Sequence, residues 1–547
     1  MPTWDRYRLP ADRTRRLPAK PGETMKRRSL LAGAAASSLA RPSLAGRAQT
    51  LTMIPQVALN SIDPVWTSSQ ISRNMGYMVF DQLYGRDEAM NARPQMVESD
   101  LMEDDAKRWT LRLRENLWWH DGEKVLARDC VASLKRWMKR NPAGGTLEAR
   151  LDAIEAIDDR TLVLRLNKPY PHLRMLLSQF VIPPVMMPER LARTDPFKQI
   201  PEAIGSGPFR WLAHEHVLAS HAAFARFDRY VPRDEPASYT AGGHRVLLDR
   251  VVWKMIPDPQ TAANALITGE VDWMEIPLPD LIPLLKKTPG VVTGNLDAYG
   301  QILFMRPNHT LSPTNNPAIR QAMMAAVDQA EVMAAVMGGD PDNAIAPIGF
   351  LQSGKPEVDG AGMEAIRVRH TPQEVKAMLE KAGYKGERLV LLHPTDHIYY
   401  NPTTSVVAQM LSECGFNIDD QAMDWATVQS RRTSREPLAN GGWSIFCTVA
   451  PVPDYRTPLL AAFIRGDGKK GWFGWPEDGR MEQIYQTWLE VTDPVEQTKL
   501  EREYQLQAFK FLPFIPLGRY LQTSAWRDNV HGILKGPSAV FWDIEKT

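Results

Sequence analysis

The segment W-T-L-R-L-R-E-N-L-W-W-H-D-G-E-K-V-L-A-R-D-C-V, residues 109–131, carries the clearest structural signal in the sequence. Residues 109–114 alternate apolar and polar side chains, a pattern that turns one face of a β-strand toward a core and the other toward solvent. His120-Asp121-Gly122 follows and favours a turn, because glycine adopts positive φ without strain. The segment therefore predicts a half-buried strand that leads into a turn.

Similar signals continue on the C-terminal side of this segment. Residues 161–166 and 251–255 have the apolar, β-branched composition expected of strands. Four predicted helices each begin with a capping residue followed by proline. The side chain of the capping residue accepts a hydrogen bond from the first turn, and proline fixes a φ that suits a helix. The four pairs are Asp258-Pro259, Asn316-Pro317, Thr371-Pro372 and Asn401-Pro402. Further strands predicted at 388–392 and 416–418 alternate with these helices, so we predict an α/β protein.

The composition excludes some classes of function. The 547 residues include 65 basic and 64 acidic side chains, a net charge of +1. Such a balance provides no basic field for nucleic acid, so we expect no nucleic-acid partner. The three cysteines are far apart and lack the spacing of a zinc site. They leave open one disulfide between Cys414 and Cys447, beside the simpler interpretation of three buried thiols.

The sequence contains few residues in the patterns typical of catalytic or metal-binding sites. The sequence contains no nucleophile elbow of the G-x-S-x-G type and no phosphate-binding P-loop. The histidines of His214-Glu215-His216 would share one face only on a strand, and Pro394 separates His393 from His397. We therefore predict no catalytic residues, no metal site and no cofactor, and expect that the protein is not an enzyme.

Residues 1–48 have the features of a targeting segment rather than of a folded domain. After Met25, which we take as the natural start, Lys26-Arg27-Arg28 precedes a short apolar run and then small residues, as in a secretory signal peptide. The paired arginines resemble a twin-arginine signal. The apolar run is too short to span a bilayer. We expect a periplasmic protein, exported by the twin-arginine route.

Several segments, taken in chain order, resemble those of the bacterial extracytoplasmic solute-binding proteins of family 5, which serve importers of oligopeptides, dipeptides and nickel. The segments are Ser61-Ile62-Asp63-Pro64, residues 109–131, Gly205-Ser206-Gly207-Pro208-Phe209, residues 265–272 and residues 377–384. The resemblance extends over roughly residues 51–547. Most of these segments have plain structural roles in turns and helices, so they indicate the fold more than the ligand contacts.

The resemblance implies a two-lobed α/β fold of the periplasmic-binding-protein type II, with an extra subdomain in the first lobe and the ligand enclosed between the lobes. The implied divisions are the N-terminal extension and signal at 1–48, the first lobe at 49–298 with its subdomain at about 96–204, the second lobe at 299–513, and a return to the first lobe at 514–547. We place the crossings between lobes near residues 299–305 and 514–520.

The resemblance also suggests ligand-binding residues. In peptide-binding members an aspartate pairs with the α-ammonium of the peptide, and Asp454 stands at the matching position beside Tyr455. The alternative is that Asp454 shapes a proline-rich turn. Further candidates for ligand contact are Trp443, Phe446 and the loop Ala58-Leu59-Asn60. The aromatic loop with Trp472, Phe473 and Trp475 is a candidate for closing the mouth of the pocket.

The function implied is that of the substrate-binding component of an ABC importer for peptides. The protein would capture its ligand by hinge closure and deliver it to permease subunits that work with cytoplasmic ATPases; we expect a monomer. One alternative is the same role for an oligosaccharide, an opine or a metal chelate. An exported hydrolase would need a clustered nucleophile and base, and a periplasmic chaperone would need an open apolar groove.

Overall fold

The computed structural model describes residues 49–547, so the extension and the signal predicted at 1–48 lie outside the described residues. Three sheets of four or more strands organise the described part of the chain. The first sheet has seven strands, in the order Phe209–Trp211, His221–Arg226, Arg250–Lys254, Thr50–Ile54, Trp273–Met274, Thr523–Arg527 and Val291–Asn295. Thr50–Ile54 runs parallel to both of its neighbours, and the other pairs are antiparallel. This sheet is the centre of the first lobe.

The second sheet has six strands and forms the centre of the second lobe. Its order is Ala344–Ile345, Ile515–Tyr520, Gln301–Pro307, Ile445–Pro451, Arg388–Pro394 and Asn417–Met423. The central strand Gln301–Pro307 is buried along its whole length. Its inner strands are buried on both faces, so they are apolar in nearly continuous runs rather than in alternation.

The chain passes between the two sheets twice. It leaves the first sheet after Val291–Asn295 and enters the second at Gln301–Pro307. It leaves the second sheet after Ile515–Tyr520 and rejoins the first at Thr523–Arg527. These connections are residues 296–300 and 521–522, which overlap or adjoin the segments predicted to cross, near 299–305 and 514–520. The boundaries of the lobes and of the subdomain stay predictions.

The third sheet contains the segment that opened the sequence analysis. Its order is Val97–Glu103, Arg108–Leu113, Thr161–Leu166 and Leu151–Ala156, all antiparallel. Along the second strand Trp109, Leu111 and Leu113 are buried, whereas Arg112 is exposed. Gly122 has a φ of 98°, as its predicted turn requires. The half-buried strand and the turn are confirmed.

The longer helices are Gln70–Val79, Ala127–Met138, Pro259–Ile267, Pro317–Ala325, Gln329–Met337, Pro372–Lys381, Tyr400–Glu413, Gly479–Trp488 and Pro494–Phe511. Three of the four predicted caps are confirmed, because the side chains of Asp258, Asn316 and Thr371 accept hydrogen bonds from the first turn. The fourth helix begins one residue before Asn401. The Asn401 side chain instead lies with its Oδ1 2.9 Å from Nε2 of His393.

Cys130, Cys414 and Cys447 are buried free thiols, the outcome that the simpler interpretation of the cysteines predicts. Within residues 49–547, no helix combines the length and the apolar character that crossing a bilayer requires.

Candidate ligand-binding cavity

A cavity of about 760 Å³ lies between the two lobes, a size typical of small-molecule sites. The first lobe contributes Asn60, Ser61, Trp66, Thr67, Ser68, Ser69, Lys139, Arg140, Asn141, Pro142, Ala143, Gln179, Val181, Ile182, Phe197 and Gln199. The second lobe contributes Gln429, Ser430, Arg432, Thr433, Asp454, Leu460, Ala462, Phe463, Trp472 and Phe473. We call this space the interlobe cavity. Its aromatic walls and few charged groups are the usual composition of a ligand site.

A larger cleft of about 1090 Å³ shares the wall formed by residues 139–142. Its lining contains no aromatic side chain, and its two most buried guanidinium groups, those of Arg150 and Arg465, have partners within the protein. Arg465 donates to Glu482 at 2.7 Å, and Arg150 donates to Gln486 at 2.7 Å. Because these side chains are already engaged with partners, the smaller interlobe cavity is the candidate ligand site.

Asp454 lies in the wall of the interlobe cavity, in the short turn Val452–Tyr455 that follows the strand Ile445–Pro451. Only 4% of this residue is exposed. Burial raises the pKa of its carboxyl group, and the charge of Arg86 acts in the opposite direction. The charge of Arg86 therefore compensates only part of the cost of burying this carboxylate.

Arg86 lies across the cleft from Asp454. The Arg86 guanidinium lies 3.7 Å from the Asp454 carboxylate. Arg86 belongs to the first-lobe strand Tyr84–Arg86, donates through Nε to the carbonyl of Ser178 at 2.9 Å, and stacks on Phe180 at 4.4 Å. Arg86 Nη2 and Asp454 Oδ1 face each other across the cleft without a hydrogen bond, and each is buried without a hydrogen-bond partner among the described residues. This is the position where the family resemblance implies a ligand ammonium.

The other predicted site residues divide into two groups. Asn60 lines the interlobe cavity together with Asp454. Tyr455, Trp443 and Phe446 are buried in the core and do not line it. Trp443 and Phe446 pack edge to face at 5.0 Å. The Tyr455 hydroxyl accepts a hydrogen bond from the Phe463 amide at 3.3 Å.

The remaining candidates lie in loops. Ala58 and Leu59 line a small separate pocket in the first lobe, beside Trp253. In the aromatic loop, Trp472 and Phe473 reach the interlobe cavity, whereas Trp475 is buried against Trp443 at 6.1 Å.

Sequence reasoning missed the arginines of the cavity wall, Arg140 and Arg432. Arg432 is 7% exposed and stands directly after the helix Trp425–Arg431. Four aromatic rings surround its guanidinium, at 4.9 to 5.9 Å: Trp425, Phe446, Trp472 and Phe473. Those rings come from three separate segments of the chain, so no local pattern marks Arg432. We call this arrangement the Arg432 cage.

No group of three metal-binding side chains occurs in the part of the chain that the structure describes. His214 is exposed on a single turn of 3₁₀-helix rather than on a strand. His393 lies between Asp420 and Asn401, each at 2.9 Å, and His397 stacks on Tyr400 at 3.6 Å.

Similarity to known proteins extends over most of the chain. The profile of the bacterial extracellular solute-binding proteins, family 5 Middle, matches residues 91–458. The "probable peptide ABC transporter periplasmic-binding protein y4tO" of Sinorhizobium fredii is 34% identical over 536 residues, which cover 96% of this chain and 100% of the relative.

Two solved structures illustrate the shared fold. One is the PBP AgaA of A. tumefacien R10 in complex with agropinic acid, with a TM-score of 0.77, 20% identity, and 91% of this chain and 99% of that chain covered. The other is a dipeptide-binding protein of Pseudoalteromonas sp. SM9913 in complex with Met-Leu, with a TM-score of 0.76, 16% identity, and 91% and 100% covered. At these identities the likeness concerns the fold, and it confirms the predicted periplasmic-binding-protein architecture.

Members of this family are extracytoplasmic binding proteins of ABC transporters, which work with permeases and ATPases and are not enzymes. The prediction that the chain is not an enzyme is thereby confirmed. Because the family profile matches residues 91–458 and a relative is 34% identical over 96% of the chain, this protein belongs to the bacterial extracellular solute-binding proteins of family 5.

Proposed function

We propose that this protein captures short peptides in the interlobe cavity and delivers them to an ABC permease. The observation that carries the proposal is the cavity itself, which both lobes line with aromatic, polar and charged groups. The name of the S. fredii relative, a probable peptide transporter component, supports the same ligand class. Export by the twin-arginine route and the monomeric state stay predictions.

Closure of the lobes would couple binding to transport. A ligand that contacts both walls of the cavity binds the closed state more tightly than the open state, and so shifts the population toward closure. Contacts within the protein also cross the cleft. Arg456 donates to the carbonyl of Ala89 at 3.3 Å, and His172 stacks on Trp488 at 4.4 Å. These contacts would favour one closed geometry over others.

Thermal unfolding tests the proposal. The purified protein is heated with a pool of random di- to pentapeptides, and in parallel with amino acids, oligosaccharides, opines and a nickel–histidine chelate. A ligand at 100 to 1,000 times its Kd stabilises by about 3–4 kcal/mol. We expect the shift with peptides. A shift with only one of the other ligands would contradict the peptide proposal.

Two tryptophan substitutions on one helix locate the site. Ser430→Trp places an indole at the exposed rim of the cavity, whereas Ala426→Trp adds the same side chain at an exposed position outside its lining. We expect Ser430→Trp to weaken peptide binding and Ala426→Trp to leave it unchanged. Equal effects of the two substitutions would place the ligand elsewhere.

A further inference from the structure

Arg150 of the first lobe, which stands just before the strand Leu151–Ala156, binds acceptors in both lobes. Its side chain is 4% exposed. One terminal nitrogen, Nη1, donates to the carbonyl of Pro169 in its own lobe at 3.1 Å. The other, Nη2, donates to the side chain of Gln486 at 2.7 Å and lies 3.1 Å from the carboxylate of Glu490. The guanidinium therefore spans the boundary between the lobes.

A second cation of the first lobe reaches the same carboxylate. The Nζ of Lys168 lies 3.5 Å from Glu490, and the two side chains are 59% and 36% exposed. Two residues before this glutamate, Trp488 stacks on His172 of the first lobe at 4.4 Å. We call this set of contacts the interlobe latch; its members are Arg150, Lys168, His172, Gln486, Trp488 and Glu490.

The interlobe latch is separate from the residues that would touch a ligand. Its members are not among the residues that line the interlobe cavity. Arg150, Lys168 and Gln486 line the larger cleft beside it instead. The contacts of the latch are therefore the same whatever ligand the cavity holds, and they can influence binding only through the position of the lobes.

Separation of the lobes would break the contacts of the latch across their boundary. Arg150 would keep the Pro169 carbonyl in its own lobe and lose both acceptors in the second lobe. Charge-assisted hydrogen bonds are strong where water is excluded, whereas the exposed pair of Lys168 and Glu490 adds little. The closed arrangement of the lobes is therefore stabilised mainly through Arg150, by contacts that an open arrangement lacks.

We propose that Arg150 and its acceptors Gln486 and Glu490 are positioning residues, which stabilise the closed state from outside the cavity and slow the release of the ligand. This inference rests on the proposed capture of peptides and concerns the regulation of that same site. When only a fraction of the protein can hold the ligand, the apparent Kd rises by the inverse of that fraction. Because a bound ligand leaves only after the latch opens, the effect lies in koff rather than in kon.

Alanine substitutions at the second-lobe acceptors test the latch without changing the buried arginine. The variants are Glu490→Ala and the double variant Gln486→Ala/Glu490→Ala. Glu496→Ala is the matched control, because Glu496 is also a partly exposed glutamate that pairs with a lysine, Lys499 at 2.9 Å, but within its own lobe. The probe is the tightest-binding peptide recovered from the pool of random di- to pentapeptides. Surface plasmon resonance measures its Kd, kon and koff.

We expect Glu490→Ala to raise the Kd about 3-fold and the double variant to raise it about 10- to 30-fold, almost wholly through a faster koff. Glu496→Ala should leave Kd and koff unchanged. A second peptide of different sequence should lose affinity by the same factor, because the latch does not contact the ligand. Thermal unfolding without ligand shows whether each variant folds, and Glu490→Ala alone serves if the double variant does not.

Three results would overturn the inference while leaving peptide capture intact. They are an unchanged koff in the folded latch variants, a loss of affinity expressed in kon alone, and losses that differ between the two peptides. If the peptide pool does not stabilise the protein, peptide capture is contradicted. The same variants are then measured with the ligand of the panel that does bind, and an unchanged koff there would overturn the latch independently. If nothing in the panel binds, both proposals are contradicted.

Discussion

Two arginines, each buried in one of the lobes, have opposite surroundings. Arg136 in the first lobe pairs with Asp63 at 2.7 Å, and the two side chains are 1% and 0% exposed. The Asp63 carboxylate also accepts hydrogen bonds from the backbone amides of Val65 and Ile200, each at 3.1 Å. Arg432 in the second lobe has aromatic rings around it, and no carboxylate within residues 49–547 pairs with it. The Nε of each arginine is buried without an acceptor among those residues. The charge of Arg136 is thus paired within the described part of the chain, whereas that of Arg432 contacts only aromatic rings there.

The largest effect on the free energy of unfolding is expected when the ion pair of Arg136 and Asp63 is broken. Arg136→Met leaves the Asp63 carboxylate buried without its cation, so the free energy of unfolding should fall by about 3–5 kcal/mol. Denaturant unfolding measures this loss. Lys135→Met, at an exposed position of the same helix, is the control and should change stability by less than about 0.5 kcal/mol. A similarly small change for Arg136→Met would contradict the structural role of Arg136.

A buried acid without such a pair should respond to pH. Asp81 is 4% exposed, and burial raises its pKa from 3.8 to about 6. Because the folded protein then holds the proton more tightly than the unfolded chain, the contribution of Asp81 to stability is lost as the pH rises from about 4 to about 6, by roughly 3 kcal/mol.

Asp81→Asn isolates that contribution. The stability of the variant relative to the unsubstituted protein should increase over the same pH interval, as measured by unfolding at matched pH values. A difference that stays constant from pH 4 to pH 7 would mean that Asp81 ionises alike in both states.

The smallest effect on stability is expected at Arg432. Arg432→Met removes cation–π contacts, but it also removes an uncompensated buried charge, and a thioether packs well against aromatic rings. The ligand-free protein should therefore change by less than about 1 kcal/mol in the unfolding assay used for Arg136→Met. A loss of about 3 kcal/mol or more would assign Arg432 a structural role like that of Arg136.

Features that depend on neighbouring residues could be predicted from the sequence. The strand at 108–113, the turn at Gly122 and three helix caps depend on residues within a few positions of one another, and these predictions are confirmed. Asp63, part of a family-like segment, has a structural role in its pair with Arg136.

The cavity depends instead on contacts between distant segments. Asp454 was identified by resemblance, but its partner Arg86 stands in the other lobe, and no spacing rule connects the two. The Arg432 cage likewise forms only when the helix Trp425–Arg431, the strand Ile445–Pro451 and the aromatic loop come together. Tertiary packing, rather than local pattern, therefore determines what the cavity can bind.

The most direct test is the crystal structure of the protein with its tightest-binding peptide. We predict the peptide in the interlobe cavity, in contact with side chains of both lobes. A peptide in the larger cleft beside Arg150 would contradict this account.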